Sequence, residues 1–154
     1  MSQRAGRAGH PPPPGDVRQM VTTDRNRAVV LAYVAAFNRG DVRALRQLFT
    51  PDAVVSGVLG GGGLDVAEPI WRELHDCFAV HLTVEAMLAA GDEVAVRYLE
   101  RGTSRRPFRG QAATGRSYEI TAMEWFLFRE GLIHRRWGAR DAAAQFRQMG
   151  LTPG

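Results

Sequence analysis

The chain has 154 residues, 45% hydrophobic and 23% charged, which is the composition of one soluble globular domain and too little chain for two. Twenty Lys/Arg positions, all of them arginine, against sixteen acidic ones give a formal charge of +4, and part of that excess sits in the first twenty residues, where Arg4, Arg7 and Arg18 face only Asp16. The remainder is nearer neutral and has no basic helix or stripe, which argues against nucleic acid as a partner. The single cysteine, Cys77, excludes an internal disulfide framework and a thiolate metal cluster, and fits a reducing, cytoplasmic setting. No stretch approaches the roughly 18 apolar residues of a membrane span, and the N-terminus has no hydrophobic signal-peptide centre. The expectation is a cytoplasmic protein without a membrane partner.

Residues 1–21 combine Gly, Arg and the prolines at 11–14, and cannot bury enough apolar surface to offset the entropy of ordering. They are expected to form a disordered tail, with a proline-rich adaptor ligand as the functional alternative. The single domain then occupies residues 22–154.

Thr22, Thr23 and Asp24 are helix-capping types, and Val29, Val30, Tyr33, Val34 and Phe37 recur at helical spacing until Asn38-Arg39-Gly40. Asp41 caps a second, shorter helix bearing Val42, Leu45, Leu48 and Phe49, closed by Pro51 before a strand over 53–56. The four glycines at 60–63 lack the Lys-Ser or Lys-Thr of a phosphate loop, and read as a flexible loop or lid. Asp65 starts a third helix through Ile70, Leu74, Cys77 and Phe78, with Pro69 near its first turn.

Strand patterns follow over 81–89, 93–103, 117–129 and 132–141, with a Pro/Gly-punctuated loop at 105–115 and a closing helix over 141–149. Helices near the start followed by an antiparallel meander describe an α+β domain with helices covering one face of the sheet.

Several short pieces, in order, carry a resemblance. They are Phe37-Asn38-Arg39-Gly40-Asp41, Phe49-Thr50-Pro51-Asp52-Ala53, Gly91-Asp92-Glu93-Val94-Ala95-Val96-Arg97 and Arg101-Gly102-Thr103. Pro107-Phe108-Arg109-Gly110 with Thr114-Gly115-Arg116 continue the set, and Gly131-Leu132-Ile133 with Trp137, Asp141, Gln148, Met149 and Gly150 end it. Over about residues 24–151 the chain resembles the SnoaL-like polyketide cyclases of the nuclear transport factor 2-like (NTF2-like) superfamily. The resemblance implies a conical barrel, a curved and mostly antiparallel sheet wrapped around N-terminal helices and open at one end into an apolar pocket. It also implies a homodimer formed through the outer sheet face and a hydrophobic polycyclic substrate. The implied reaction is a cofactor-independent intramolecular aldol ring closure in secondary metabolism, such as antibiotic biosynthesis, with one aspartate as acid and base. By its position before the closing helix, that residue is Asp141.

Asp141 also stands where a helix begins, so an N-cap is its purely structural role. Strand alternation places it in register with Trp137, Arg135 and Ile133, and a pocket-facing Trp137 would desolvate the carboxylate and raise its pKa. The His and Gln that such cyclases carry on the penultimate strand fall near Leu127 and Trp125, which cannot stabilise an enolate; Glu124, His134, Arg140, Tyr98 and Arg97 are the substitutes within reach. The same alternation puts His134, Arg136 and Arg140 on the opposite, outward face. Substrate contacts are assigned to Trp137, Trp125, Tyr33, Phe37, Met123, Trp71 and Arg97, mostly large side chains suited to a planar ligand. His75 and His81 are not spaced as metal ligands and no HExxH occurs, so no metal is expected. Arg101, Arg105, Arg106 and Arg109 read as a solvated loop, with contact to an anionic substrate or a carrier protein as the functional alternative. Alternatives on the same scaffold are a polyketide hydroxylase, an epoxide hydrolase to which Arg97 and Asp141 would contribute, and a non-catalytic binding or dimerisation module.

Overall fold

The computed structural model describes residues 14–153. In chain order they form α1 (Pro14–Arg39), α2 (Val42–Gln47), β1 (Phe49–Gly57), β2 (Gly60–Gly62) and α3 (Leu64–Phe78). β3 (His81–Ala90), β4 (Glu93–Thr103), β5 (Ser117–Arg129), β6 (Leu132–Arg140) and α4 (Ala142–Met149) complete the chain. The six strands make one curved, unclosed sheet in the order β2-β1-β6-β5-β4-β3. Every neighbouring pair is antiparallel except β1 and β6, which run parallel. This is the α+β cone expected from the sequence.

The period-two pattern of β4 and β5 builds the concave wall: Val94, Val96, Tyr98 and Glu100 on β4, and Tyr118, Ile120, Ala122, Glu124, Phe126 and Phe128 on β5, are all buried. Against it, α1 lays Asn26, Val30, Tyr33, Val34 and Phe37, buried at the three-to-four-residue spacing of one helix face. Tyr33 meets Phe126 edge-on at 5.1 Å between ring centres, and Trp71 of α3 meets Phe49 of β1 at 5.5 Å. Each large apolar side chain withdrawn from water in this way contributes about 1.5–3 kcal/mol. A second aromatic group, Phe78, Phe108 and Phe146, ties α3 and α4 to the loop at 105–115. Among the described residues no helix is long and apolar enough to cross a membrane.

Three local expectations are corrected. α1 starts at Pro14, eight residues before Thr22, so only residues 1–13 of the expected tail lie outside the described residues. Proline suits a first helical position, where its missing N–H is not needed. The hydroxyls of Thr22 and Thr23 donate back to the carbonyls of Arg18 and Met20 at 3.0 and 2.9 Å, inside the helix, instead of capping its start. Second, α2 ends at Gln47, and Phe49 already pairs with Ile133 in the sheet. Pro51 is accommodated in β1 because the ladder with β6 shifts register between Phe49 and Val54, where no strand N–H is required. Third, the glycine run forms the edge strand β2, folded back on β1, with φ of +129° at Gly60 and +156° at Gly62. These are angles that a residue with a Cβ rarely adopts.

The fourth correction decides which residues face inward. Along the β5–β6 ladder Phe128 pairs with Ile133 but Leu127 pairs with Arg135, so His134 is an extra residue, a β-bulge. Ile133 points inward before it; Arg136, Gly138 and Arg140 point inward after it, and Arg135, Trp137 and Ala139 point outward. Arg136 and Arg140, expected outside, are therefore interior residues.

Candidate active site

Two buried carboxylates stand on the concave wall. Glu124 is 8% exposed; its Oε1 accepts the Tyr33 hydroxyl at 3.0 Å and lies 3.2 Å from Arg136 Nη2, and its Oε2 accepts the Tyr98 hydroxyl at 3.0 Å. Glu100 has no exposed surface; its Oε1 accepts the Tyr118 hydroxyl at 2.7 Å and lies 3.2 Å from Arg140 Nη1. The two groups differ in one respect. Both oxygens of Glu124 are occupied, whereas Glu100 Oε2 is buried without a hydrogen-bond partner.

Burial raises the Glu100 carboxyl above its ordinary value of 4.5, against the opposing pull of Arg140 and of the Tyr118 hydrogen bond. The phenols of Tyr33, Tyr98 and Tyr118 are all pushed upward, chiefly by burial and further by the adjacent glutamates, so they act as neutral donors at physiological pH. Burial disfavours the Arg136 guanidinium more than any one neighbour favours it, but Glu124, Tyr33 and Tyr98 together outweigh that penalty and Arg136 stays charged. Arg136 Nη1 also donates to the Ser56 carbonyl at 3.0 Å, which fixes the side chain beneath the β1–β2 hairpin.

Two small cavities flank these residues. One, of about 30 Å³, lies between the glycine hairpin and α3, with Ile70, Trp71 and Leu74 on one side and Arg136, Gly138 and Arg140 on the other. The second, of about 10 Å³, is lined by Phe37, Tyr98, Glu100 and Glu124 and shares Gly138 and Arg140 with the first. Such volumes hold water and no polycycle; a ligand of that size enters only if a wall moves. The glycine hairpin is the wall that stands at the sheet edge, its β2 strand paired on one side only, to β1 at three positions.

Of the residues assigned from sequence, Tyr33, Phe37 and Trp71 come together in this interior. Trp125 and Trp137 do not, and Met123 only borders the second cavity: the three are 47%, 43% and 55% exposed and, with Leu88 and Arg97, line an open groove of about 490 Å³ on the convex face. Arg97 there pairs with Glu85 at 3.3 Å. Asp141 does share the outward phase of Trp137, as alternation predicts, but that phase is the outside of the sheet beyond the bulge. Asp141 is exposed, caps α4 by accepting the Ala144 amide at 2.9 Å, and is not among the residues lining the two interior cavities. His134 sits on the bulge, 3.1 Å from the Thr50 hydroxyl, beside the Asp52–Arg129 pair.

Glu124, Arg140 and Tyr98 were legible as substitutes; Glu100, Tyr118 and Arg136 were not singled out as site residues. The signal for Glu100 was present: an acidic residue on the same strand phase as Val94, Val96 and Tyr98 is an acid in an apolar register.

Residues 27–149 match the family model described as SnoaL-like polyketide cyclase. Among solved structures, IdmH of Streptomyces antibioticus, a candidate polyketide cyclase, is 28% identical, with 82% of this chain and 99% of that one covered at a TM-score of 0.72. AclR of Streptomyces galilaeus, a candidate hydroxylase, is 23% identical over 85% and 99% of the two chains, with a TM-score of 0.76. A candidate SnoaL-like polyketide cyclase from Jannaschia sp. CCS1 is 19% identical over 94% and 100%, again at 0.76. The last two likenesses concern the fold alone. No curated protein matches the chain.

Proposed function

The chain belongs to the SnoaL-like polyketide cyclase family, and from that premise we propose that it closes a ring in an aromatic polyketide intermediate by a cofactor-independent intramolecular aldol step. The observation that carries this reading is Glu100: a fully buried carboxylate on the concave wall, oriented through Oε1 by Tyr118 and left with a free Oε2 beside a cavity. Burial makes it a stronger base than an exposed carboxylate, which suits removal of a proton from carbon.

In this mechanism Glu100 Oε2 takes a proton from the carbon next to a substrate carbonyl. The resulting enolate carbon attacks a second carbonyl carbon of the same molecule; a C–C bond forms, the C=O π bond opens to an alkoxide, and the alkoxide takes the proton back from Glu100. Nothing is gained or lost, so product and substrate are isomers. Asp141, the aspartate implied by the family resemblance, is the competing base.

Purified protein, Glu100→Gln and Asp141→Asn should be offered a panel of aromatic polyketide esters under air and under nitrogen, with products weighed by mass spectrometry. The expected product has unchanged mass, forms without oxygen, disappears in Glu100→Gln and persists in Asp141→Asn. Turnover that survives Glu100→Gln but not Asp141→Asn would move the base to Asp141; a gain of one oxygen would overturn ring closure.

The same reading places the protein in the cytoplasm, in secondary-metabolite biosynthesis, as a homodimer. The groove on the convex face supports the dimer, because exposed Leu88, Met123, Trp125 and Trp137 form an apolar patch of the kind that a second copy covers.

A further inference from the structure

The interior lacks partners of complementary kinds. On the acceptor side, Glu100 Oε2 is buried and receives no hydrogen bond; on the donor side, Arg136 Nε and Arg140 Nη1 are buried and donate none, although Arg140 Nη1 lies 3.2 Å from Glu100 Oε1. Buried polar groups are normally satisfied, and leaving a guanidinium N–H and a carboxylate oxygen unmet in one small volume is unfavourable unless a third molecule meets them. Arg140 also carries the side chain that, beside Gly138, lines both cavities, with Trp71 on the hairpin side and Phe37 with Glu100 on the other.

We infer that Arg140, backed by Arg136, binds the oxygen of an enolisable β-dicarbonyl, while Glu100 Oε2 receives that ligand's acidic hydrogen. A β-dicarbonyl brings what this interior is missing: an oxygen on which negative charge develops, and a hydrogen one carbon away that leaves as a proton. Trp71 of one cavity and Phe37 of the other supply apolar walls for a ring carried by such a group, which enters once the glycine hairpin moves aside and the two small cavities join. Arg136 cannot turn fully toward the ligand, because Ser56 and Glu124 hold its two terminal nitrogens, so its Nε is the part that remains to donate. Among the described residues the ion pair of Arg140 is with Glu100, and that contact is not aligned as a hydrogen bond, so Arg140 can exchange Glu100 for the ligand oxygen. The exchange releases the carboxylate at the moment the carbonyl is polarised. This assignment deepens the ring-closure reading and rests on it for its chemistry.

Binding, not turnover, tests it. The probes are 1-phenylbutane-1,3-dione, its 2-methyl derivative, which still enolises between its two carbonyls, and its 2,2-dimethyl derivative, which has no hydrogen there to lose. Titration calorimetry on the full chain should show the first two binding at least tenfold more tightly than the third, with an enolate absorbance band appearing on binding. Arg140→Gln should abolish the preference and Arg140→Lys should retain part of it. Should Arg140→Gln fail to fold, because it strands Glu100, the neutral pair Glu100→Gln/Arg140→Gln replaces it and should bind all three probes equally. Equal binding of the three by the wild type, the result if only water fills the cavities, overturns the inference, as does a preference that survives Arg140→Gln. The two readings separate cleanly. A probe preference without ring closure of any polyketide ester sinks the proposed function alone, and ring closure without a preference sinks this assignment alone.

Discussion

Arg136 Nη2 stands 3.2 Å from Glu124 Oε1, and only 7% and 8% of the two side chains remain exposed. A pair this deeply withdrawn is costly to form and more costly to halve. Its Coulombic attraction offsets the desolvation of two ions, and once one partner is gone the other is a bare charge in the core. Glu124→Ala is expected to lower unfolding stability by about 3–5 kcal/mol, read by urea denaturation. The double variant Glu124→Leu/Arg136→Met should lose clearly less than the sum of its single changes. Additivity would show that the pair is not energetically coupled.

Glu100 gives the protein an unusual response to pH. Its folded-state pKa is raised above the ordinary 4.5, chiefly by burial, so above that value the unfolded chain releases the proton before the folded one does. Stability contributed by protonated Glu100 is present below 4.5 and is lost as pH rises through the raised folded value. Denaturation from pH 4 to 7 should therefore show Glu100→Gln gaining on the wild type as pH rises; a parallel pair of curves would refute the shift. Turnover runs the other way, since the base must be ionised, and should climb through the same interval.

Gly138 is a tight spot on an ordinary strand. A Cβ built there would lie 2.6 Å from Arg136 Nη1. Alanine normally improves a strand by reducing backbone entropy in the unfolded chain, yet Gly138→Ala must push Arg136 off Glu124 and Ser56. The expected cost is about 1–3 kcal/mol, measured by thermal or urea unfolding, with loss of turnover. An alanine variant as stable as the wild type would mean that Arg136 has room to move.

Three tryptophans should behave in two ways. Trp71, 2% exposed, is a core residue, and Trp71→Ala should cost about 3–5 kcal/mol. Trp125 and Trp137 belong to the convex patch, so Trp125→Glu and Trp137→Glu should leave the monomer fold intact by circular dichroism while halving the mass seen by light scattering. A wild type that already scatters as a monomer at micromolar concentration would remove the dimer.

Asp141→Asn should preserve stability within a few tenths of a kcal/mol, because asparagine caps as well as aspartate, whereas Asp141→Ala should cost about 1 kcal/mol. A large loss in the asparagine variant would show that the negative charge does more than cap α4.

The cone was legible because its signals are local and periodic. Tyr33 and Phe37 lie on one helical stripe, Val94, Val96 and Tyr98 on one strand phase, and Asp41 and Asp141 sit at caps that the structure confirms. The site was less legible, because the inside and outside of β6 depend on one unpaired residue. Alternation counted through His134 put Trp137 in the pocket and Arg136 and Arg140 in solvent, the reverse of their positions. Nothing in the residues 132–140 announces a bulge; it is set by how Leu127 and Phe128 pair across the ladder. Glu100 and Glu124 were readable in principle, as acids in an apolar phase, since their strands carry no such slip between Glu93 and Thr103.

His134 thus acts as a parity bit for the last strand. Removing that one residue would leave length, composition and charge almost untouched, yet it would exchange the addresses of everything downstream: the indole of Trp137 and the methyl of Ala139 would be sent into a chamber built for ions, and the guanidinium groups of Arg136 and Arg140 onto a face built for contact. Insertions and deletions at this point are therefore not small steps in sequence space, and relatives that differ by one residue between Ile133 and Arg135 should be compared face by face and not position by position.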